Sequence, residues 1–417
     1  MSREELEPST PKFRVSRLAR AAGVWGPGLL AMLADTDAGN VIAAAQAGAQ
    51  WRYRLLPLLL LLIPMLYLVQ ELTVRVGVHT GRGYGELVRE RFGTAWAGVA
   101  VAGLAAASIG TLITEFTAVA GIGELFGVSR ALTLPLVTVA LLAVTGTGSY
   151  RRFERIALAI GAFELAFFAV AMAAHPSLSE MARQATDLPL TNAGFLWIAA
   201  AIIGATFNPW MIFYQQSATV EKKLQPQDLS AARRDTGVGA TLTQCLTGAV
   251  LIAAAATLRS GGVAKLDSVG EISNALTPLL GVEVGRLIFS AAVLGASFVA
   301  AIVSSLALAW GVGEIAGYRR SLEYRPFEAK WFYGAYAFCV LAAAWLVWLT
   351  PNLIGLAIAA QVLNAFLMPL VIGLLVALAA RALPRSVRLR GARLWLTVGF
   401  ATAISGLGLV GGVAGWL

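Results

Sequence analysis

Charged residues are scarce in this sequence. Only 13% of its 417 residues are Asp, Glu, Lys or Arg, whereas 58% are hydrophobic. This balance, with long uncharged runs, excludes a soluble protein and indicates an all-α integral membrane protein. The formal net charge of +9 does not indicate nucleic-acid binding, because the basic residues lie at the ends of apolar runs rather than in one patch.

Cysteine and histidine are nearly absent, with two of each. Cys245 and Cys339 lie inside predicted spans, which favours packing roles over a disulfide or a metal-binding pair. His79 and His175 lie at the ends of spans, so neither imidazole is expected at the membrane interior. There is also no nucleophile paired with a base and no cofactor-binding loop. We therefore expect neither enzyme activity nor a cofactor.

Long apolar runs predict eleven membrane spans. They cover residues 21–50, 54–77, 96–126, 131–149, 155–174, 193–218, 236–258, 285–315, 331–350, 353–378 and 393–415. Of the 32 Lys and Arg residues, 25 lie on the side of the N-terminus and 7 on the opposite side. This asymmetry predicts a multi-pass protein of a bacterial-type plasma (inner) membrane, with a cytoplasmic N-terminus and an external C-terminus. Residues 1–20 lack the apolar core of a signal peptide and are expected to form a cytoplasmic tail.

Two of the spans are interrupted by polar residues. Span 1 contains Asp35-Thr-Asp-Ala-Gly-Asn40, and span 6 contains the pair Asn208-Pro209. A carboxylate at this depth costs roughly 2.5–3.5 kcal/mol on insertion scales, so two of them require a function. Gly39 is expected to permit an unwound backbone there. The alternative is that one aspartate caps a broken helix while the other faces water.

Broken first spans in two halves of five spans predict an inverted-repeat transporter. The single transmembrane domain, 21–417, would contain repeat one (about 21–174), repeat two (about 193–378) and an extra helix (393–415). Its site would lie where the two breaks face each other. The predicted metal ligands are Asp37, Asn40, Asn208, the backbone carbonyl of Ala205 and, through water, Asp35. Further candidates near the site are Thr206, Trp210, Gln361, Asn364 and Glu115. The predicted metal ligands all coordinate through oxygen, and oxygen ligands suit hard cations such as Mg²⁺, Ca²⁺ or Mn²⁺.

The sequence resembles the Nramp divalent-metal transporters along nearly its full length. The family's Asp-Pro-Gly-Asn is similar to Asp37-Ala-Gly-Asn40, and its Met-Pro-His is similar to Asn208-Pro-Trp210. The resemblance also covers Gln70–Gly81, Arg152–Glu154 and Gln361–Pro369. It implies a LeuT-type fold with a metal bound by Asp37 and Asn40.

Three departures from the family pattern narrow the expected substrate. Asn208 replaces the family's methionine, Trp210 replaces its histidine, and Leu367 aligns with its glutamine in span 10. This pattern resembles the Nramp-related magnesium transporters, since the sulfur that would disfavour Mg²⁺ is missing. We therefore expect import of partly hydrated Mg²⁺, and also Mn²⁺, by alternating access without proton coupling. The expected partners are the metal ion and the lipid bilayer, and a monomer is expected.

Three alternatives stay open at this stage. One is a proton-coupled Mn²⁺/Fe²⁺ symporter that uses Asp35, Glu115 or His79 in place of the missing histidine. Another is a Na⁺-coupled carrier of organic solutes, which Asp37 disfavours because it would repel a substrate carboxylate. The third is a metal-sensing membrane domain that does not transport, which the short tails disfavour.

Overall fold

The computed structural model describes residues 26–144, 150–258, 265–277 and 281–415. Throughout these ranges the secondary structure is helical, without a strand. The predicted tail, 1–20, lies outside the described residues. The helices of the first half are α1 Pro27–Leu33, α2 Ala38–Trp51, α3 Leu56–Thr80, α4 Tyr84–Phe92, α5 Thr94–Leu125, α6 Arg130–Val144, α7 Tyr150–Gly161, α8 Ala166–Ala173 and α9 Leu178–Gln184. Those of the second half are α10 Ala193–Thr206, α11 Pro209–Glu221, α12 Leu229–Thr257, α13 Val269–Leu276, α14 Val282–Ala316, α15 Lys330–Leu349, α16 Leu353–Arg381 and α17 Gly391–Ala414.

Nine helical segments of the described ranges are long and apolar enough to cross a membrane. One of them, Ala38–Thr80, joins two predicted spans through the 3-10 turn Arg52–Leu55. The fourth predicted span corresponds to the shorter α6. The helices thus follow the predicted spans closely, while the count of eleven crossings stays a prediction.

Spans 1 and 6 are both broken, as predicted. Span 1 stops after α1 and resumes with α2, and the extended residue Asp37 (φ −68°, ψ 173°) precedes the second part. Span 6 stops after α10 and resumes with α11. There Asn208 is also extended (φ −72°, ψ 129°), and Pro209 begins the new helix. Proline lacks an N–H and disfavours helical backbone in the residue before it, so the break falls at Asn208.

Span 5 has an interruption that the sequence does not predict. Helices α7 and α8 are joined by the 3-10 turn Ala162–Leu165. A tighter turn inside a span rotates the side chains that follow it and often marks a functional position. Its residue Glu164 is fully buried.

The helices pack in two groups around the breaks. Helix α12 contacts α1, α2 and α3, and α3 contacts α11. Helix α5 contacts α14, α15 and α16. The last helix, α17, lies against α10 and α16. Both breaks therefore lie in the protein interior, where unwound backbone is tolerated in a membrane protein.

Candidate metal-binding site

The break in span 1 carries two buried aspartates with different partners. Asp37 caps α2, because its Oδ1 accepts a hydrogen bond from the Asn40 backbone N–H at 2.7 Å. Its Oδ2, and both carboxylate oxygens of Asp35, have no hydrogen-bond partner in the described part of the chain. Buried polar atoms are nearly always paired. Three carboxylate oxygens at one break are therefore available to a ligand from outside the protein.

Asn40 holds the break in shape. Its Nδ2 donates to the Asp35 carbonyl at 3.0 Å, and its Oδ1 accepts from Thr247 Oγ1 at 2.9 Å. The Thr36 hydroxyl in turn meets Thr243 Oγ1 at 2.7 Å. Span 1 is thus tied to α12 through hydroxyl groups. An amide oxygen accepts two hydrogen bonds, so the Asn40 oxygen keeps capacity for a further partner.

The break in span 6 is held by amides. The Asn208 Nδ2 donates to the Ala205 carbonyl at 2.9 Å. Its Oδ1 accepts from Asn364 Nδ2 and, at 3.5 Å, from Thr111 Oγ1. Both predicted oxygen ligands of span 6 therefore already accept hydrogen bonds. The Asn208 side chain also interacts with Asp35, which brings the two breaks together.

The remaining candidates surround these groups. Trp210 is fully buried and donates its Nε1 proton to Thr111 Oγ1 at 3.0 Å. The Thr206 hydroxyl accepts from Gln244 Nε2 at 3.2 Å, so it faces α12. The Gln361 Oε1 accepts from Asn364 Nδ2 at 3.1 Å. The oxygens of Thr206 and Gln361 are thus engaged within the protein, whereas the Asn364 Oδ1 has no hydrogen-bond partner among the described residues.

Glycine allows two close approaches at the site. A methyl group at Gly39 would overlap the Gln361 side-chain amide, and one at Gly204 would overlap the Gln361 backbone carbonyl. Gly39 lies inside α2 rather than in unwound backbone. The expectation that it permits unwinding is therefore wrong, because the unwound residues precede it and its role is close packing.

Two glutamates join the two aspartates in this group of buried carboxyl groups. Glu115 Oε2 accepts from the Ala38 backbone N–H at 3.3 Å, and its Oε1 accepts from Thr114 Oγ1 at 3.0 Å. Glu164 interacts electrostatically with Asp37, Glu115 and Asp35, and neither of its carboxylate oxygens has a hydrogen-bond partner among the described residues. Sequence analysis missed Glu164. Its neighbours are uniformly apolar, but a lone glutamate inside a span was itself the available signal.

The carboxylates do not form a metal site alone. Within the described ranges, no three His, Cys, Asp or Glu side chains converge as metal ligands. A cation at the breaks would be held by one or two carboxylates together with amide, carbonyl or water oxygens. Such an oxygen set suits hard divalent cations as a class.

A small cavity of about 10 Å³ adjoins the break in span 6. It is lined by Asn208, Gln70 and Met368, among others, and the Gln70 Oε1 has no partner in the described part of the molecule. The space is close to that of a single water molecule. The thioether of Met368, which sequence analysis did not single out, lies at its wall.

Both ends of the helix bundle are closed over the breaks. At the end that carries most of the basic loops, called the basic end below, Asp235 accepts from the backbone N–H groups of Gly28 (2.8 Å) and Leu29 (3.2 Å) at the start of α1. Nearby, Lys222 pairs with Glu154 at 3.0 Å, both side chains 8% exposed. At the other end, the Gln46 Nε2 donates to the Leu266 carbonyl. Between these ends, the four carboxylates are each at most 2% exposed.

Comparison with known proteins gives one consistent family. The model described as Natural resistance-associated macrophage protein-like (Nramp) matches residues 28–414. The divalent metal cation transporter MntH of Acidiphilium cryptum (strain JF-5) is 31% identical over 342 residues, 74% of this chain and 74% of that protein. MntH of Brucella suis biovar 1 (strain 1330) is 27% identical over 308 residues, 70% of this chain and 67% of that protein.

Solved structures agree on the fold. A manganese transporter of Eremococcus coleocola superposes with a TM-score of 0.75 at 17% identity, covering 96% of this chain and 88% of that one. MHP1, a nucleobase-cation-symport-1 family transporter, superposes with a TM-score of 0.54 at 15% identity, covering 94% and 90%. The predicted LeuT-type fold, with its broken helices, is confirmed.

Proposed function

The chain belongs to the Nramp family, and from this premise we propose that it transports divalent metal ions across a membrane by alternating access. The names of its relatives, divalent metal cation transporters and a manganese transporter, support this class of substrate. Within the class we propose Mg²⁺ as the preferred ion, carried partly hydrated, with Mn²⁺ also accepted and no obligatory proton movement. The direction would be import into the cytoplasm of a bacterial-type cell, with the N-terminus inside.

One observation carries the proposal. Three oxygens of Asp35 and Asp37 are buried at the break of span 1 without hydrogen-bond partners, and no basic side chain of the described residues pairs with them. A divalent cation would offset two carboxylate charges at once and satisfy these oxygens. We propose that Asp37 and Asp35 are the charged ligands, Asp35 directly or through water, and that Asn40, Asn208 and the Ala205 carbonyl complete the oxygen set.

The preference for Mg²⁺ rests on the second break. Asn208 supplies an amide where a thioether would favour softer metals. Trp210 donates its indole N–H to Thr111, and an indole, unlike an imidazole, does not exchange protons near neutral pH. His79 lies near the end of α3 with its Nδ1 against the Arg75 carbonyl. Neither sulfur nor imidazole belongs to the proposed ligand set.

Met368 favours a second candidate function. Met368 and Asn208 line the same small cavity, so a thioether-bearing residue is available beside the second break. A transporter that selects Mn²⁺ over Mg²⁺ would use such a ligand. Proton coupling through Glu115 or Glu164 belongs to the same candidate.

The test is metal uptake into reconstituted vesicles, comparing Mg²⁺, Mn²⁺ and Ca²⁺ while lumenal pH is recorded. Asp37→Asn keeps a good helix cap but removes the charge, and it should abolish uptake of Mg²⁺ and Mn²⁺. Asp267→Asn, an exposed aspartate far from the breaks, is the matched control. Undiminished uptake by folded Asp37→Asn protein would refute the site, and lumenal acidification that tracks metal entry would refute uncoupled transport.

A further inference from the structure

A second cavity, unrelated to the breaks, opens at the basic end. It measures about 410 Å³, within the range of small-molecule sites. We call it the arginine groove. It lies between α3, the start of α12, and α17 with the loop before it, and it is lined by Tyr67, Leu68, Glu71, Leu72, Arg75, Arg233, Leu389, Arg393, Leu396, Thr397 and Phe400.

The groove has an excess of positive charge. Arg75 and Arg233 share a single carboxylate, since Arg75 Nη2 lies 2.7 Å and Arg233 Nη2 lies 2.6 Å from the oxygens of Glu71. Arg393 is exposed and forms no ion pair with any described residue. The lining of the groove therefore contains three guanidinium groups and one carboxylate, and this excess of positive charge favours binding of an anion.

The basic and the apolar residues of the groove lie at different depths along the membrane-spanning helices. On α17, Arg393, Leu396 and Phe400 share one face at helical spacing, with the arginine in the first turn. On α3, Arg75 lies near the helix end, and Leu68 lies two turns further into the membrane. Both walls thus carry basic groups at the end of the span and apolar side chains below them. Leu396 is 60% and Phe400 38% exposed, so this apolar surface has no cover within the described chain.

We propose that the arginine groove binds an anionic phospholipid from the leaflet at the basic end. The phosphate would lie against Arg393 and the outward-facing guanidinium of Arg233, while an acyl chain would follow Leu68, Leu396 and Phe400. Basic pockets between membrane helices recognise anionic headgroups in this way, and each arginine near the surface contributes about 1 kcal/mol. The zwitterionic headgroup of phosphatidylcholine would not match the excess of positive charge.

The position of the groove gives the lipid a structural effect. Glu71 pairs with Arg75 of its own helix and links α3 to α12 through Arg233, and α17 forms the opposite wall. A bound lipid would bridge α17 to this pair of helices, so it should raise the thermal stability of the folded protein. The inference is independent of the ion carried.

The experiment measures thermal unfolding of the delipidated full chain in detergent during titration with phosphatidylglycerol, phosphatidylcholine or glycerol phosphate. We expect a saturable rise in Tm with phosphatidylglycerol alone. Arg393→Gln should weaken the apparent affinity about fivefold, the effect of one surface arginine. Arg385→Gln removes the same charge from the loop before α17 but does not line the groove, so it should leave the affinity unchanged.

Three outcomes would overturn the proposal. The first is an equal response to phosphatidylcholine, which would mean general solvation by lipid. The second is an equal response to glycerol phosphate, which would mean a free-anion site. The third is an equal loss of affinity in Arg393→Gln and Arg385→Gln, which would mean attraction to net charge and not to the groove.

Discussion

Asp35 and Asp37 are two residues apart and both fully buried, yet their carboxylates differ in hydrogen bonding. Asp37 uses one oxygen to cap α2 and leaves the other free, whereas both oxygens of Asp35 lack a partner. The helix-cap role considered from the sequence is thus observed for Asp37, while its role as a metal ligand stays a prediction. Glu164 belongs to the same group of charges, although it lies in a different span.

At this scale, Glu164→Gln is the first test. Removing a buried carboxyl group that can ionise beside Asp35 and Asp37 should weaken the binding of a divalent ion. We expect about a tenfold rise in the apparent KM for Mg²⁺, the lower end of effects seen for groups around metal ligands. Vesicle uptake measures it, with Glu124→Gln, an exposed glutamate of α5, as the control. An unchanged KM would mean that Glu164 is neutral and structural.

Asn208→Met tests the substrate preference. A thioether at the second break should lower Mg²⁺ uptake while preserving uptake of Mn²⁺, since soft ligands discriminate against hard cations. The ratio of the two uptake rates is the measurement. Met368→Leu, similar in volume but without sulfur, should leave that ratio unchanged. A fall in Mn²⁺ uptake in Met368→Leu would instead favour the manganese-selective candidate.

Helices α10 and α16 approach each other closely beside the second break. A methyl group at Gly204 would overlap the backbone carbonyl of Gln361, which cannot rotate away as a side chain could. Small residues permit such contacts between membrane helices. The contact lies beside the hydrogen bond that Asn364 of α16 donates to Asn208, the residue before α11.

Gly204→Ala should therefore destabilise the protein by about 1–3 kcal/mol, the usual cost of overpacking. Thermal unfolding of the purified protein measures the change. Gly373→Ala, on α16 itself, places its methyl group in open space and should have little effect. Equal Tm values for the two variants would contradict the close approach.

The molecule as a whole is closed at both ends. Asp235 and the Lys222–Glu154 pair close the basic end, and the Gln46–Leu266 hydrogen bond lies at the other. Alternating access requires that these closures open in turn, because an ion bound at the breaks has no open path in this state. Opening the basic end would release α1 from Asp235.

Uncoupled transport predicts a dependence on voltage. An inside-negative potential of 100 mV favours entry of a divalent ion by about 4.6 kcal/mol, from about 2.3 kcal/mol per charge. Mg²⁺ uptake into vesicles should therefore accelerate when a K⁺ diffusion potential is imposed, with lumenal pH unchanged. Vesicles that contain the Asp37→Asn variant serve as the control, because metal entry into them measures leakage. Uptake that ignores the potential but responds to a pH gradient would point to proton coupling.

The sequence alone was enough to predict the membrane class, the approximate positions of the spans and both breaks. These depend on linear properties: hydropathy along the chain, a proline that cannot continue a helix, and carboxylates that lipid does not tolerate. The family resemblance added the fold. Residues such as Asp37 and Asn208 could be chosen because they lie at breaks visible in the chain itself.

Only the tertiary structure decided which polar atoms lack partners. Glu164 lies in an apolar segment without a proline, and its relation to Asp37 arises because span 5 packs near span 1. Likewise, position 39 must be glycine because the side-chain amide of Gln361 packs against it, and Glu71 pairs with two arginines from different spans. Hydrogen bonds and charge interactions between distant residues depend on distances in space, which hydropathy along the chain does not encode.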